Sequence, residues 1–284
     1  MTFCAFCFSA CNKDASQTNK KVEDVNIESI SDFELLRSEI INLNDSRLGP
    51  DTKIPRWLGW LGVGISDAVG GLVGAHVGGV FGGIVLGAIA SIDAYIEFVA
   101  NQSASVVSLN GINDIDIAEG SFAQYTLQSE ESNDGLSDGY YHNAIIRSLY
   151  NKHGDNLFLM DEDSLVLAVE AETVSLCGAS VDETSQVMNS FNAKDFVYDE
   201  TIDETPSAFI TRIQALHTGA SLELSVLEPV LSGVNGIEDR QERVEYVRDV
   251  VELVDESQIP AHSKRTIKSG ATIALESSLL WNIE

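Results

Sequence analysis

The chain has 284 residues, with 17 Lys and Arg against 44 Asp and Glu, a formal charge of −27. That charge excludes a nucleic-acid backbone as natural partner, because phosphates are repelled. A hydrophobic content of 44% excludes a wholly disordered chain, four Cys are too few for a disulfide-built scaffold, and the length suffices for a real core. Only five Pro among many Leu, Ile, Val and Ala favour helices.

Three of the four Cys fall in the first eleven residues: Cys4, Cys7 and Cys11. The apolar run ends Phe8-Ser9-Ala10-Cys11 and a polar stretch follows. Small residues before a Cys resemble a bacterial lipoprotein signal, which implies cleavage before Cys11 and a lipid on its sulfur. The run is short for such a signal and no Lys or Arg precedes it; a start codon upstream of Met1 would account for both. The competing reading of Cys4 and Cys7 is a Cys-x-x-Cys metal or redox pair, but no second Cys or His pair lies nearby to finish a zinc site. Residues 1–11 are thus expected to be a lipoprotein-type signal, and Cys177 the remaining free thiol.

Residues 12–55 read as a polar tether and a short helix. Ser31-Asp32-Phe33-Glu34 has capping-box spacing, and Phe33, Leu36, Ile40 and Leu43 recur at helical intervals. Asn44 to Pro55 reads as a loop.

Residues 56–100 differ in kind. Eleven of the 22 Gly lie between Gly59 and Gly87, and the 23 residues Ala68–Ala90 contain no formally charged side chain. As one helix this run is about 34 Å long, the depth of a hydrocarbon core. Gly70, Gly74, Gly78 and Gly82 form one ridge; Gly71, Ala75, Gly79, Gly83 and Gly87 form a second. Such ridges, a glycine zipper, let a second helix approach until backbones touch. Two readings are open: a membrane-associated segment with Trp57, Trp60, Tyr95 and Phe98 as interfacial aromatics, or a buried helical hairpin turning near Gly78-Gly79, with His76 a core or turn histidine. Close packing is needed in either, since each helical Gly costs about 1 kcal/mol relative to Ala. No Lys-Ser or Lys-Thr follows a Gly run, so the segment is not a phosphate loop.

Between Asn101 and Thr211 there are 20 acidic residues against Arg147, Lys152 and Lys194. Residues 101–137 read as an acidic loop region. Residues 138–284 read as a helical domain, with starts expected at Asp138, Asp163, Asp182, Thr205-Pro206, Leu222, Glu238 and Pro260. The last helix carries Gly270, Ala274 and Ser278, a small-residue face suited to the glycine ridges. The fold expected is a mostly α helical bundle with a Gly-rich apolar helix or helical hairpin at its centre.

Gly139-Tyr140-Tyr141-His142-Asn143 is the most distinctive short string. Beside a glycine zipper, this Gly-x-x-His-Asn motif resembles a group of uncharacterised secreted or lipid-anchored proteins of Bacteroidota, with Trp281-Asn282 a further part of the pattern. The resemblance covers about a third of the chain and implies no activity. His142 and Asn143 are the candidate catalytic residues, His142 as general base or metal ligand. Ser137 and Ser148 are merely close in sequence, and no nucleophile elbow or His-Glu-x-x-His is present. The plainer reading is a buried hydrogen-bonded pair at a helix start. His153, His217 and His262 have no metal spacing. Asp161-Glu162-Asp163 and Asn113-Asp114-x-Asp116 lack the calcium-loop pattern and read as caps and solvated charge.

The function expected is therefore a non-enzymatic, lipid-anchored cell-envelope protein, periplasm-facing or at the surface, with a membrane-interacting or toxin-like role as its sharp form. The alternatives are a soluble secreted binding module with an acidic surface, or a hydrolase centred on His142. The partner expected is membrane lipid, through Cys11 and the 68–90 segment. No nucleic acid, cofactor or metal is expected, and a protein partner is not identifiable.

Overall fold

A computed structural model describes residues 15–49, 59–101, 135–188, 190–198 and 205–281. Cys4, Cys7, Cys11, Trp57, the 113–116 acidic string and Asn282 lie outside them. The fold is all-α: among the described residues there is no strand. The helices are α1 (Ala15–Leu48), α2 (Gly59–Asn101), α3 (Asp138–His153), α4 (Glu162–Cys177), α5 (Val181–Met188), α6 (Pro206–Leu216), α7 (Ser221–Gly236), α8 (Arg240–Glu256) and α9 (Ala261–Leu280).

Local sequence sets several helix ends. Thr205 Oγ1 accepts from Ala208 N with Pro206 at the first helical position, as expected from Thr205-Pro206. Asp161 caps α4, two residues before the expected Asp163, and Asp239 caps α8. Asp138 is the first residue of α3 rather than its cap, which is Ser137. Ser180 and Glu183 bond reciprocally ahead of α5, in place of the expected Asp182. The Ser31–Glu34 box does not start a helix either, because α1 already runs from Ala15, where a tether was expected. Its apolar stripe of Phe33, Leu36 and Ile40 is buried, and Arg37 bonds Glu228 and the Ser225 carbonyl of α7.

α2 is a hairpin. Gly79 has φ 63° and ψ −142°, a conformation essentially restricted to glycine, and it breaks the helix into two arms. Gly79 is thus the break and not a member of a continuous ridge. The arms run side by side with backbones almost touching. A Cβ on Gly74 would collide with the Gly82 carbonyl, and one on Gly82 with the Gly74 carbonyl. A Cβ on Gly70 would stand 2.9 Å from Ala90 Cβ, and one on Gly83 2.9 Å from the Gly71 carbonyl. Gly78 departs from this face: its missing Cβ makes room for Val187 of α5.

Helices α3, α4, α5, α7 and α9 pack on the hairpin. α9 packs along it, with Ile273 filling the space at Gly71, Ser269 that at Gly83, and Gly270 against Leu72 and the Ala68 carbonyl. Ser278 faces away and bonds Arg243 of α8, so the expected small-residue face of α9 meets the hairpin only in part. Val69, Leu72, Val73, Ile84, Leu86, Ile89 and Ile92 are fully buried, each contributing about 1.5–3 kcal/mol of transfer free energy. A helix apolar on all sides belongs in a core or a bilayer; here a protein sheath supplies the apolar surroundings. Tyr95, expected at an interface, is buried and stacks on Trp281 with ring centroids 4.7 Å apart.

Candidate functional site

Glycine spacing explains the His142-Asn143 motif. A Cβ on Gly139 would collide with the Thr272 carbonyl, so α3 touches the backbone of α9 there. One turn further along each helix, Asn143 Nδ2 donates to the Glu276 carbonyl at 2.8 Å and reaches Glu276 Oε2 at 3.3 Å. Asn143 Oδ1 pairs with His142 Nδ1 at 2.9 Å. That bond aims the imidazole at the hairpin, against the bare backbone of Gly87, where an added Cβ would lie 3.3 Å from His142 Cδ2.

His142 meets Asp67 there, on the first arm. Asp67 Oδ2 accepts from Ser91 Oγ of the second arm at 2.9 Å and from Ser277 Oγ of α9; Trp281 Nε1 donates to Ser91 Oγ at 2.9 Å. His142 Nε2 lies 3.7 Å from Asp67 Oδ2, beyond hydrogen-bond range. Asp67, Ser91, His142 and Ser277 are all completely buried. Burial pushes the Asp67 carboxyl up to about 8 against the lowering effect of its hydroxyl donors, and pushes His142 down to about 4 against its bond to Asn143. At neutral pH the acid therefore carries the proton and the imidazole is neutral, so their contact is not an ion pair. Glu276, raised by burial to about 7, faces the cationic Arg147 and Arg240, which pull it down.

This arrangement ties both hairpin arms to α3 and α9. It has an acid, a base and two hydroxyls, and among the described residues none of these groups has a solvent-exposed face on which a substrate would meet it. Ser148 is directed elsewhere, to Glu172 of α4. His217 stacks on Phe196, with centroids 5.1 Å apart. Cys177 is buried, and burial pushes its thiol up to about 12. Asp161 of the acidic string caps α4 through Ser164.

A second polar group sits at the hairpin tip, where Val77 is 54% exposed. His76 Nδ1 and His262 Nε2 of α9 stand 3.4 Å apart, and Glu223 Oε1 of α7 is 3.8 Å from His76 Nδ1. The two histidines border a cavity of about 340 Å³ whose walls include Gly78, Glu183, Val187 and Arg265.

Sequence reasoning missed Asp67, Ser91, Glu276 and Ser277 as one cluster, and missed the His76–His262 pair. One signal was available: Asp67 is a lone acid in an otherwise uncharged apolar arm. No protein-family profile matches this chain, and neither a curated protein nor a solved structure matches it.

Proposed function

We propose that the protein is a non-enzymatic, lipid-anchored cell-envelope protein whose glycine-zipper hairpin is a membrane-entering element stored inside its own helical sheath, a membrane-perturbing or toxin-like design. The observation that carries this reading is the hairpin itself: a largely apolar pair of arms covered by other helices of the same chain. Its polar anchor, Asp67, is protonated at neutral pH, which lowers the cost of transfer to lipid.

The depth of entry follows from the sequence of the arms. Among the described residues no helix is long and apolar enough to cross a membrane. The uncharged parts of the arms are Ala68–Gly78 and residues 80–92. At about 1.5 Å per residue they reach roughly 16 and 20 Å, one leaflet rather than two. The hairpin is therefore proposed to wedge into one leaflet, tip first. The Cys11 lipid would hold the protein at that surface, where a second signal is needed for stable attachment.

The test is a reversible lock. In Leu72→Cys/Gly270→Cys the two sulfurs join the first arm to α9, since a Cβ at position 270 lies 3.1 Å from Leu72 Cβ, close to disulfide reach. Dye release from phosphatidylcholine vesicles is expected from the reduced variant and the parent, and is expected to fall to background in the oxidised variant. Release that is unaffected by the lock, or absent from the parent throughout mildly destabilising urea, would overturn the proposal.

A further inference from the structure

At the hairpin tip the geometry points to a proton-operated latch: His76 of the first arm and His262 of α9 fasten the tip while at most one of them is protonated, and a second proton releases it. His76 Nδ1 and His262 Nε2 stand 3.4 Å apart in a hydrogen bond. Such a contact needs one ring to donate its N–H and the other to present a bare nitrogen. Two neutral rings satisfy it, and so does a pair sharing one extra proton. With both rings protonated, both facing nitrogens carry hydrogen and both rings carry charge, so attraction turns to repulsion.

The groups facing the pair admit the first proton and oppose the second. Glu223 of α7 is nearly buried, with Oε1 3.8 Å from His76 Nδ1, and Ser263 Oγ donates to that oxygen at 2.7 Å. Its carboxylate balances one added charge. Arg265, one turn beyond His262 on α9, borders the same cavity, and its Nε is buried without a hydrogen-bond partner among the described residues. Its guanidinium charge opposes the second proton. Glu183 of α5 also borders the cavity, but Ser180 N and Oγ donate to its Oε2 at 2.8 and 2.6 Å. Lys264 of α9 donates instead to the Asp255 carbonyl, and Gly219, which lies against His76 Nε2, brings no charge. The His262 imidazole is accordingly pushed below 6.5, by desolvation first and then by His76 and Arg265, against the pull of Glu223. The stability from keeping it neutral is present above 6.5 and lost as pH falls below that value.

The opening is local. Beside the pair, Val77 is 54% exposed and Gly78 rests on Val187 of α5. Asp67 lies nine residues before His76, about 14 Å along the helix, and already holds its proton at neutral pH. Mild acid therefore frees the tip while the cluster around Asp67 still ties the arms to α3 and α9. Exposure of the tip is a step that the lipid entry proposed above requires, but the latch concerns the protein alone.

The experiment is hydrogen–deuterium exchange of the full chain without lipid at pH 7.5, 6.5 and 5.5, corrected for the intrinsic pH dependence of exchange. An opening that takes up one proton is favoured by at most about tenfold per pH unit below 6.5. Relative to peptides of α8, peptides covering residues 72–82 should lose protection severalfold between pH 6.5 and 5.5, with about tenfold as the ceiling. His262→Gln, at an exposed position, keeps an amide that can bond His76 but cannot be protonated, and it should remove this pH dependence. His76→Gln should do the same. His217, whose pKa desolvation also lowers, is present in all three proteins and cancels in the comparison. Histidine resonances followed by NMR should show His262 titrating below 6.5 in the parent and higher in His76→Gln. Tip protection that does not fall on acidification, or falls equally in His262→Gln, would overturn the latch, and so would a His262 titration unmoved by His76→Gln.

Discussion

Replacing Asp67 with Asn tests whether the buried cluster is held together by a protonated acid. The folded protein keeps the Asp67 proton up to about pH 8, whereas the unfolded chain loses it near the ordinary value of 3.8. The stability from this group is fully present below that ordinary value and is lost as pH rises towards 8. His142 works oppositely: with its pKa lowered from 6.5 to about 4, its contribution is present above 6.5 and lost as pH falls towards 4. Together the pair holds one proton between about pH 4 and 8. Between pH 4 and 6.5 the unfolded chain also holds one, on histidine, so the pair adds no slope. From 6.5 to 8 only the native state holds it, and the parent should lose about 2 kcal/mol, at about 1.4 kcal/mol per unit. In Asp67→Asn, the amide oxygen still accepts from Ser91 and Ser277, but only His142 titrates. The variant should therefore gain about 3 kcal/mol from pH 4 to 6.5 and hold level to pH 8 as far as this pair is concerned. Relative to the parent it should gain about 5 kcal/mol across the whole interval. Glu276 and Asp93, raised to about 7 and about 6 chiefly by burial, titrate in both proteins and cancel in the difference. Urea unfolding followed by far-UV circular dichroism at several pH values measures it. A parent-to-variant difference that does not change with pH would show Asp67 ionised in the fold and refute the argument.

Three further outcomes follow from the same geometry. His142→Gln should destabilise the fold by about 1–2 kcal/mol, as expected for a disturbed buried hydrogen bond; unchanged stability in thermal melts would show that the ring's bond to Asn143 contributes nothing. Gly74→Ala should cost about 2 kcal/mol or more despite a propensity gain of about 1 kcal/mol, because the new methyl meets the rigid Gly82 backbone; a protein of unchanged or higher Tm would mean the arms are not in backbone contact. Cys177 should react with a thiol reagent orders of magnitude more slowly in the native protein than in urea, given its burial and its raised pKa; fast native labelling would place it at the surface.

Sequence alone determined the helical class and marked out the apolar, glycine-rich segment, because these depend on short-range rules. Four-residue spacing is a property of the helix, and a run of 23 residues without charge is visible in one dimension. Capping residues such as Thr205 and Asp239 were legible, or nearly so, for the same reason: an N-cap side chain bonds a backbone three residues away. What sequence left open was whether residues 68–90 form one continuous helix or a hairpin, and a single backbone conformation at Gly79 makes it a hairpin. Linear spacing also could not show that Asp67 and Ser277, 210 positions apart, share a hydrogen bond, or that His76 and His262 face each other across 186. Side chains on different helices meet only where the backbones are allowed to close, and Gly87 and Gly139 decide those crossings by having no Cβ to hold the helices apart. The motif around His142 was therefore readable as a pattern, but its meaning came from the helix α9 that packs against it.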